Sequence, residues 1–277
     1  MKYKNKKLTF RRIIRGQRYR MNELDQYLWI KQSFRHTKFY GCTMLALSSL
    51  FINTKKYQKL IEPEVNNEFA AAIQRVFKES RICTVIEVGA SAGRGSTQVI
   101  IDCLQEYSEN SNLRVHLIEI SPIRASILNE TYSNLGYVTV HNKSTVTPSE
   151  HMSPLNLLNF NRDFETKMRS KLIVRPLRWL RQDIKFLREN PFLWNPTAFQ
   201  CINKELEPSE VDFALIDGGF CGFQDTKKVF GAKYIALDDI NDAKNFLAFR
   251  LLKKSTSYEL VESNYEYRNG YAVFRKR

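Results

Sequence analysis

The sequence predicts an α/β protein: a doubly wound, seven-stranded, mainly parallel sheet with a helical N-terminal extension and a helical insertion. Three observations carry the prediction. Residues 85–97 join an apolar run (Val85, Ile86, Val88) to three glycines, Gly89, Gly93 and Gly95, and pass straight into an apolar-periodic stretch from Thr97 to Leu104. That is the pattern of a buried parallel strand, a tight turn and a helix. Later strand-like runs end in carboxylates, Glu119, Asp217 and the pair Asp238 and Asp239, where open parallel sheets present functional groups. The last two runs, Tyr258–Ser263 and Gly270–Arg275, meet at Asn269-Gly270, a strong hairpin signal.

In chain order, residues 1–59 hold fifteen Lys and Arg against Glu23 and Asp25 alone, and so carry nearly all of the formal net charge of +14. Residues 1–64 therefore read as a basic extension with helices, and 65–277 as a nearly neutral folded domain. Lys2–Arg20 contains nine basic and no acidic residues. Such a run is either a solvated tail or a contact for an anionic membrane, nucleic acid or a polyanionic glycan. Met21–Trp29 places Met21, Leu24, Leu28 and Trp29 at amphipathic helical spacing. Cys42–Ile52 is apolar but too short to span a bilayer, and too far into the chain for an ordinary signal peptide. It reads as a helix that packs on the core or dips into a membrane interface. Val65–Phe77 aligns Phe69, Ala70, Ile73 and Phe77 on one helical face leading into the first strand.

The first strand is Val85–Val88, with Glu87 inside it. Val115–Ile120 is the second and carries Glu119, Tyr137–His141 the third, Val211–Gly219 the fourth with Asp217, and Tyr234–Asp239 the fifth. A compact connection between the third and fourth needs roughly 20–25 residues, yet Asn142–Pro208 is nearly three times that. The middle of this insertion, Phe164–Asn190, is helix-like: Leu172, Leu177, Leu180, Ile184 and Leu187 recur at helical spacing, and Pro176 opens the second of two helices. Trp179, Phe186, Phe192, Trp194 and Phe199 make it aromatic. It is either an added helical layer on the sheet or a lid and acceptor platform over a ligand. The chain has five cysteines and no Cys-x-x-Cys pair, which excludes a zinc-ribbon or disulfide framework and suits a reducing compartment. The expectation is a cytoplasmic protein, with peripheral contact at the inner face of the membrane through Lys2–Arg20 as the one membrane role.

The glycine turn suits an adenosine-type ligand. Short-chain dehydrogenases use a similar spacing for a dinucleotide, but they need a Tyr-x-x-x-Lys pair downstream. None follows the loop here; Tyr3–Lys7 has the spacing and lies upstream, in the basic tail. An acidic residue two positions before the first glycine, Glu87, instead suits a ligand with a cationic amino group and no phosphates. On Glu87-x-Gly89-x-x-x-Gly93, on Glu119 thirty residues beyond Gly89, and on the closing hairpin, the chain from about residue 80 to 277 resembles the class I S-adenosylmethionine-dependent methyltransferases. Its Ile216-Asp217-Gly218 and Asp238-Asp239 strand ends look most like the small-molecule and sugar O-methyltransferases of that superfamily.

The resemblance implies S-adenosylmethionine as cofactor. Gly89, Ala90, Ser91 and Gly93 would form its loop, Glu87 would act near the methionine amino end, and Glu119 would hold the ribose hydroxyls, with Asp217 at the border of cofactor and acceptor. It implies that Asp217, Asp238 and Asp239 line the acceptor side, as catalytic groups and as ligands of a divalent cation such as Mg²⁺ or Mn²⁺; carboxylates suit such ions, which lower the pKa of a bound hydroxyl. The other reading of these acids is helix capping and loop hydrogen bonding. Related enzymes often carry a histidine shortly after the Asp-Gly. Gly219, Phe220 and Cys221 stand there instead, which leaves Asp217, Asp225, Lys227, Lys228 or metal-bound hydroxide as base. The expected reaction is methyl transfer to a hydroxyl of a sugar, glycan precursor or other small molecule. Two alternatives stay open: a nucleic-acid methyltransferase using the basic N-terminus, although no Asn-Pro-Pro-Tyr-type motif is present, and a non-catalytic glycan- or membrane-associated protein that keeps the fold.

Overall fold

β1 (Thr84–Val88) is buried along its whole length. Strands of a parallel sheet are covered on both faces, so they read as unbroken apolar runs rather than alternating ones. β2 (Arg114–Ile118), β3 (Val138–His141), β4 (Phe213–Ile216) and β5 (Tyr234–Asp238) pair in parallel with it or with one another. β6 (Tyr258–Asn264) and β7 (Tyr271–Lys276) form the antiparallel hairpin, and β7 adds to β5. The order across the seven-stranded sheet is β3-β2-β1-β4-β5-β7-β6, as the sequence predicts in strand number and direction. The structure, a computed structural model, describes residues 67–108, 112–164, 174–266 and 269–277. The predicted segments Lys2–Arg20, Met21–Trp29 and Cys42–Ile52 lie outside the described residues. By its internal contacts the chain divides into Met1–Pro63 and Glu64–Arg277, and every described residue belongs to the second unit.

Successive side chains of a strand point to opposite faces, and each face has its own helices. On one, Val85, Val115, Leu117, Phe213 and Leu215 pack against Phe69, Ile73 and Phe77 of α1 (Asn67–Glu79) and Ile100, Ile101 and Leu104 of α2 (Ser96–Tyr107). α3 (Pro122–Tyr132) adds Leu128 and Tyr132. On the other, Ile86, Val88, Ala214, Ile216, Ile235 and Leu237 meet residues of the insertion and of the last helix. Cys103 is buried in the first layer, and Cys83, Cys201 and Cys221 are half-buried free thiols.

The insertion carries one helix that the sequence reading does not place, and the first of its two expected helices falls mainly on 165–173, outside the described residues. Its first helix, α4 (Pro154–Asp163), precedes the predicted helical span; Pro154 opens it and the Ser153 hydroxyl caps it by accepting the Asn156 N–H. α5 (Val174–Glu189) follows, with Pro176 third in the helix, where its missing N–H costs nothing. α6 (Ala198–Ile202) starts on a reciprocal Thr197/Gln200 cap. Phe199 and Ile202 of α6 are buried in the second sheet layer beside Phe249 and Leu252 of α8 (Phe246–Lys254), the helix after α7 (Gly222–Lys228). Leu157 and Phe160 of α4 and Leu180 of α5 form a separate cluster with Phe220 and Ala243. Those two residues belong to the loops after β4 and β5, so this part of the insertion sits on the carboxyl edge of the sheet. No described helix is long and apolar enough to cross a membrane.

Candidate functional site

The strand order reverses between β1 and β4: from β1 the chain runs outward to β2 and β3, then returns to β4 and β5. In open α/β sheets a crevice opens at that point, outside the carboxyl ends of the strands, and ligands bind there. Two sets of residues face it, one from the loops after β1 and β2, the other from the loops after β4 and β5.

The first set is built from backbone. Gly89 (φ +89°), Ser91 (φ +55°) and Gly93 (φ +84°) adopt left-handed conformations, which turn the chain sharply from β1 into α2. The two glycines do more than turn. A Cβ on Gly89 would lie 2.4 Å from the Asp217 carbonyl oxygen, and one on Gly93 would lie 2.7 Å from both Leu128 and Tyr132. The close approach read from the sequence is therefore made to the protein itself, between the loop and the end of β4 and between the loop and α3. The Tyr132 hydroxyl completes the second contact by donating to the Gly93 carbonyl at 2.5 Å. Ala90 is buried, and its carbonyl accepts the Thr97 hydroxyl at 3.2 Å.

Glu119 follows β2 directly and is buried. Its Oε2 accepts the Ser91 N–H at 2.9 Å and its Oε1 the Ser121 N–H at 2.7 Å. One carboxylate thus ties the glycine turn to the start of α3, and a carboxylate at this position is of the kind that accepts hydroxyl donors. Glu87 is fully buried in β1. Its Oε1 accepts the Ser96 hydroxyl at 2.5 Å, while its Oε2 has no hydrogen-bond partner among the described residues. Burial raises its pKa to about 7, against the Ser96 and Thr97 hydroxyls, which pull it down. A buried acceptor left unpaired two residues before the turn fits a ligand with a cationic amino group, and Glu119 fits a ribose; the set is compatible with an adenosyl amino-acid cofactor.

The second set is built from side-chain charge. Asp217 follows β4, and Asp238 and Asp239 stand at the end of β5. Asp239 is left-handed (φ +55°); its N–H donates to Asp238 Oδ1 at 2.9 Å, and its Oδ1 accepts the Asn269 amide at 2.8 Å. Lys244, from the loop between β5 and α8, pairs with Asp239 Oδ2 and lies 3.8 Å from Asp217 Oδ1. Desolvation raises the Asp217 carboxyl well above the usual range, with Lys244 opposing and Asp238 and Asp239 reinforcing the rise. Burial alone would lower Lys244, but Asp217 and Asp239 outweigh it and keep the ammonium charged. The neighbouring Asn245 is fully buried, and its amide donates to the Ile216 carbonyl at 2.9 Å and the Asp238 carbonyl at 2.6 Å. It pins the loop to the ends of both strands and so fixes where Lys244 stands.

Two sequence expectations change here. Asp217, Asp238 and Asp239 do share one edge, but the cation found there is an ammonium, which pairs with Asp239 and lies 3.8 Å from Asp217; with it in place, no group of three His, Cys, Asp or Glu side chains among the described residues is placed to hold a metal ion. Of the candidate bases, Asp225 is fully buried, and Lys228 is held by Glu150 at 3.2 Å and by the Thr145 carbonyl at 2.6 Å. Asp217 is half-buried at the crevice and 3.8 Å from the Lys244 ammonium. The aromatic insertion is also partly structural, since Phe199 is core and the Trp194 indole donates to the Leu187 carbonyl at 2.9 Å. Sequence reasoning missed Lys244 and Asn245. A lysine and an asparagine in a loop carry no spacing signal; only their position before an apolar helix hinted at a cap.

Comparison with protein-family models gives no match, and comparison with curated proteins gives none. Among solved structures, an O-methyltransferase from Bacillus cereus in complex with SAH is similar at a TM-score of 0.49 and 13% identity, over 92% of this chain and 100% of that one. A SAH-bound methyltransferase from Podospora anserina gives 0.43 and 10%, over 93% and 97% of the two chains. A methyltransferase from Geobacter sulfurreducens gives 0.44 and 8%, over 90% and 97%. On its own strand order, five parallel strands closed by an antiparallel pair, the chain has the seven-stranded Rossmann-like fold of the class I S-adenosylmethionine-dependent methyltransferases.

Proposed function

We propose that the protein transfers a methyl group from S-adenosylmethionine to a hydroxyl of a sugar, a glycan precursor or another small molecule. The observation that supports this best is Glu119, a buried carboxylate at the tip of β2 that accepts the Ser91 N–H of the glycine turn beside the strand-order reversal. In this reading Gly89, Ala90, Ser91 and Gly93 line the cofactor, Glu119 takes its ribose hydroxyls and Glu87 compensates its amino group. When bound, the cofactor would supply an electrophilic sulfonium methyl carbon with its thioether sulfur as the leaving group. Asp217 receives the acceptor proton. A carboxyl held well above its ordinary range by burial is a better proton acceptor than a solvated one. α4 and α5 cover the loops that carry Asp217 and Lys244 through Phe220 and Ala243, which favours an acceptor platform over a purely structural layer.

The test uses labelled S-adenosylmethionine with a panel of saccharides, nucleotide sugars, small phenols and RNA, on wild type and Asp217→Asn. Label should enter a hydroxyl acceptor, and Asp217→Asn should lower turnover by about 100-fold or more while S-adenosylhomocysteine affinity stays within about threefold, as for a group that acts in the transition state. Unchanged turnover in the variant would remove Asp217 from the mechanism. Label in RNA alone, with uptake falling steeply between about 50 and 200 mM salt, would favour the nucleic-acid reading and assign Lys2–Arg20 as its arm.

A further inference from the structure

Three carboxylates converge on one sheet edge, and the structure answers their charge from within the chain. We infer that the Lys244 ammonium is the built-in cation of the acceptor site, standing between Asp239 and Asp217, two of the three carboxylates that a divalent metal would use. The proposal rests on the methyl-transfer reading for its purpose, but not for its test.

Four observations carry it. The ammonium pairs with Asp239 Oδ2 and is 3.8 Å from Asp217 Oδ1, so it lies between the ends of β5 and β4. Its side chain is only 26% exposed, so it is no surface lysine folded back by chance. The loop that delivers it is fixed at both sides: the Lys244 N–H donates to Asp242 Oδ1 at 2.7 Å, and Asn245 ties the next residue to the Ile216 and Asp238 carbonyls. Asp239 is turned toward it by a left-handed backbone and steadied by Asn269 on its other oxygen. A Mg²⁺ ion bound at carboxylate distance, about 2.0–2.1 Å from these oxygens, would sit against the ammonium and be repelled by it.

An ammonium has three donors. With one engaged by Asp239 and one directed toward Asp217, the third is available for an oxygen of the acceptor. Lys244 then holds that oxygen beside Asp217, and the proton passes to Asp217 with no divalent cation involved. The site thus selects an oxygen-rich neutral acceptor or one with an anionic group close to the reacting hydroxyl.

The test is Mn²⁺ binding to the full chain, followed by electron paramagnetic resonance without cofactor or acceptor. Wild type and Lys244→Arg should show no binding that depends on Asp217. Lys244→Met, which keeps the length and loses the charge, should gain one Mn²⁺ bound roughly tenfold or more tightly than by wild type, and the double variant Lys244→Met/Asp217→Asn should lose it. Asp217-dependent Mn²⁺ binding by wild type would overturn the proposal, and so would failure of a folded Lys244→Met, checked by circular dichroism, to gain it. S-adenosylhomocysteine titrated into the same wild-type sample reports separately: absence of binding there sinks the methyl-transfer reading and leaves the Mn²⁺ result standing.

Discussion

The two halves of the carboxyl edge are made of different material. Beside β1 and β2, positive-φ residues and backbone N–H groups surround two buried carboxylates, Glu87 and Glu119. Beside β4 and β5, acidic side chains close around an ammonium, Lys244, and an asparagine clamp. The first half is shaped by backbone geometry and close backbone packing. The second is shaped by side-chain charge and one amide clamp. That difference suits a half that keeps one invariant ligand and a half adapted to one acceptor.

Substitutions should separate the two kinds of material. Gly89→Ala attacks the backbone half: the new Cβ meets the Asp217 carbonyl in a left-handed conformation, and the loss should be about 3–5 kcal/mol. For a unit of this size that lowers Tm by roughly 6–20 °C. Gly93→Ala meets only side-chain ends of Leu128 and Tyr132 and should cost about half as much. Equal losses would show that loop packing against β4 is not what sets the turn.

Glu87→Gln tests the buried acid through pH. The folded carboxyl titrates near 7, above its ordinary value of 4.5, chiefly because it is buried. The native state therefore holds a proton that the unfolded chain has released, and this contribution is full below about 4.5 and lost as pH rises through about 7. Glutamine does not ionise, so the variant should gain on wild type by roughly 2–3 kcal/mol between pH 4.5 and 8. A constant difference across that range would mean that Glu87 is not a buried, strained acid. Comparing each pH with the variant cancels Asp225, which burial also raises to about 7.

Asn245→Ala probes the charged half at its clamp. It strips donors from the Ile216 and Asp238 carbonyls and should cost about 2 kcal/mol, read as a lower midpoint in urea. If the loop then releases Lys244, Mn²⁺ binding should appear in this variant as well, more weakly than in Lys244→Met.

The same contrast explains what was legible in the sequence. The strands, the hairpin and the glycine turn were readable because hydrophobic period and positive φ restrict residue choice, as at Val85–Val88 and Gly89. Glu119 was readable from its place at a strand end. The charged half was read from Asp217, Asp238 and Asp239 alone, and that invited a metal. The lysine that answers them is five residues past Asp239 in an irregular loop that Asn245 ties to two strand ends; such a loop has no hydrophobic period to read, and the approach to Asp217 is tertiary. Within the insertion α4 escaped the reading, since it carries its apolar residues on a short helix opened by Pro154, outside the Leu-rich span.

The most direct test of the central claim is a thermal-unfolding shift with S-adenosylhomocysteine, S-adenosylmethionine, NAD and NADP, on wild type and Glu119→Ala. At about a hundred times its dissociation constant a ligand stabilises the fold by roughly 2.7 kcal/mol. The account predicts a raised midpoint with the two adenosyl amino acids alone, and a dissociation constant roughly tenfold or more weaker in Glu119→Ala. A shift with the nicotinamide dinucleotides alone, or with none of the four, would contradict it.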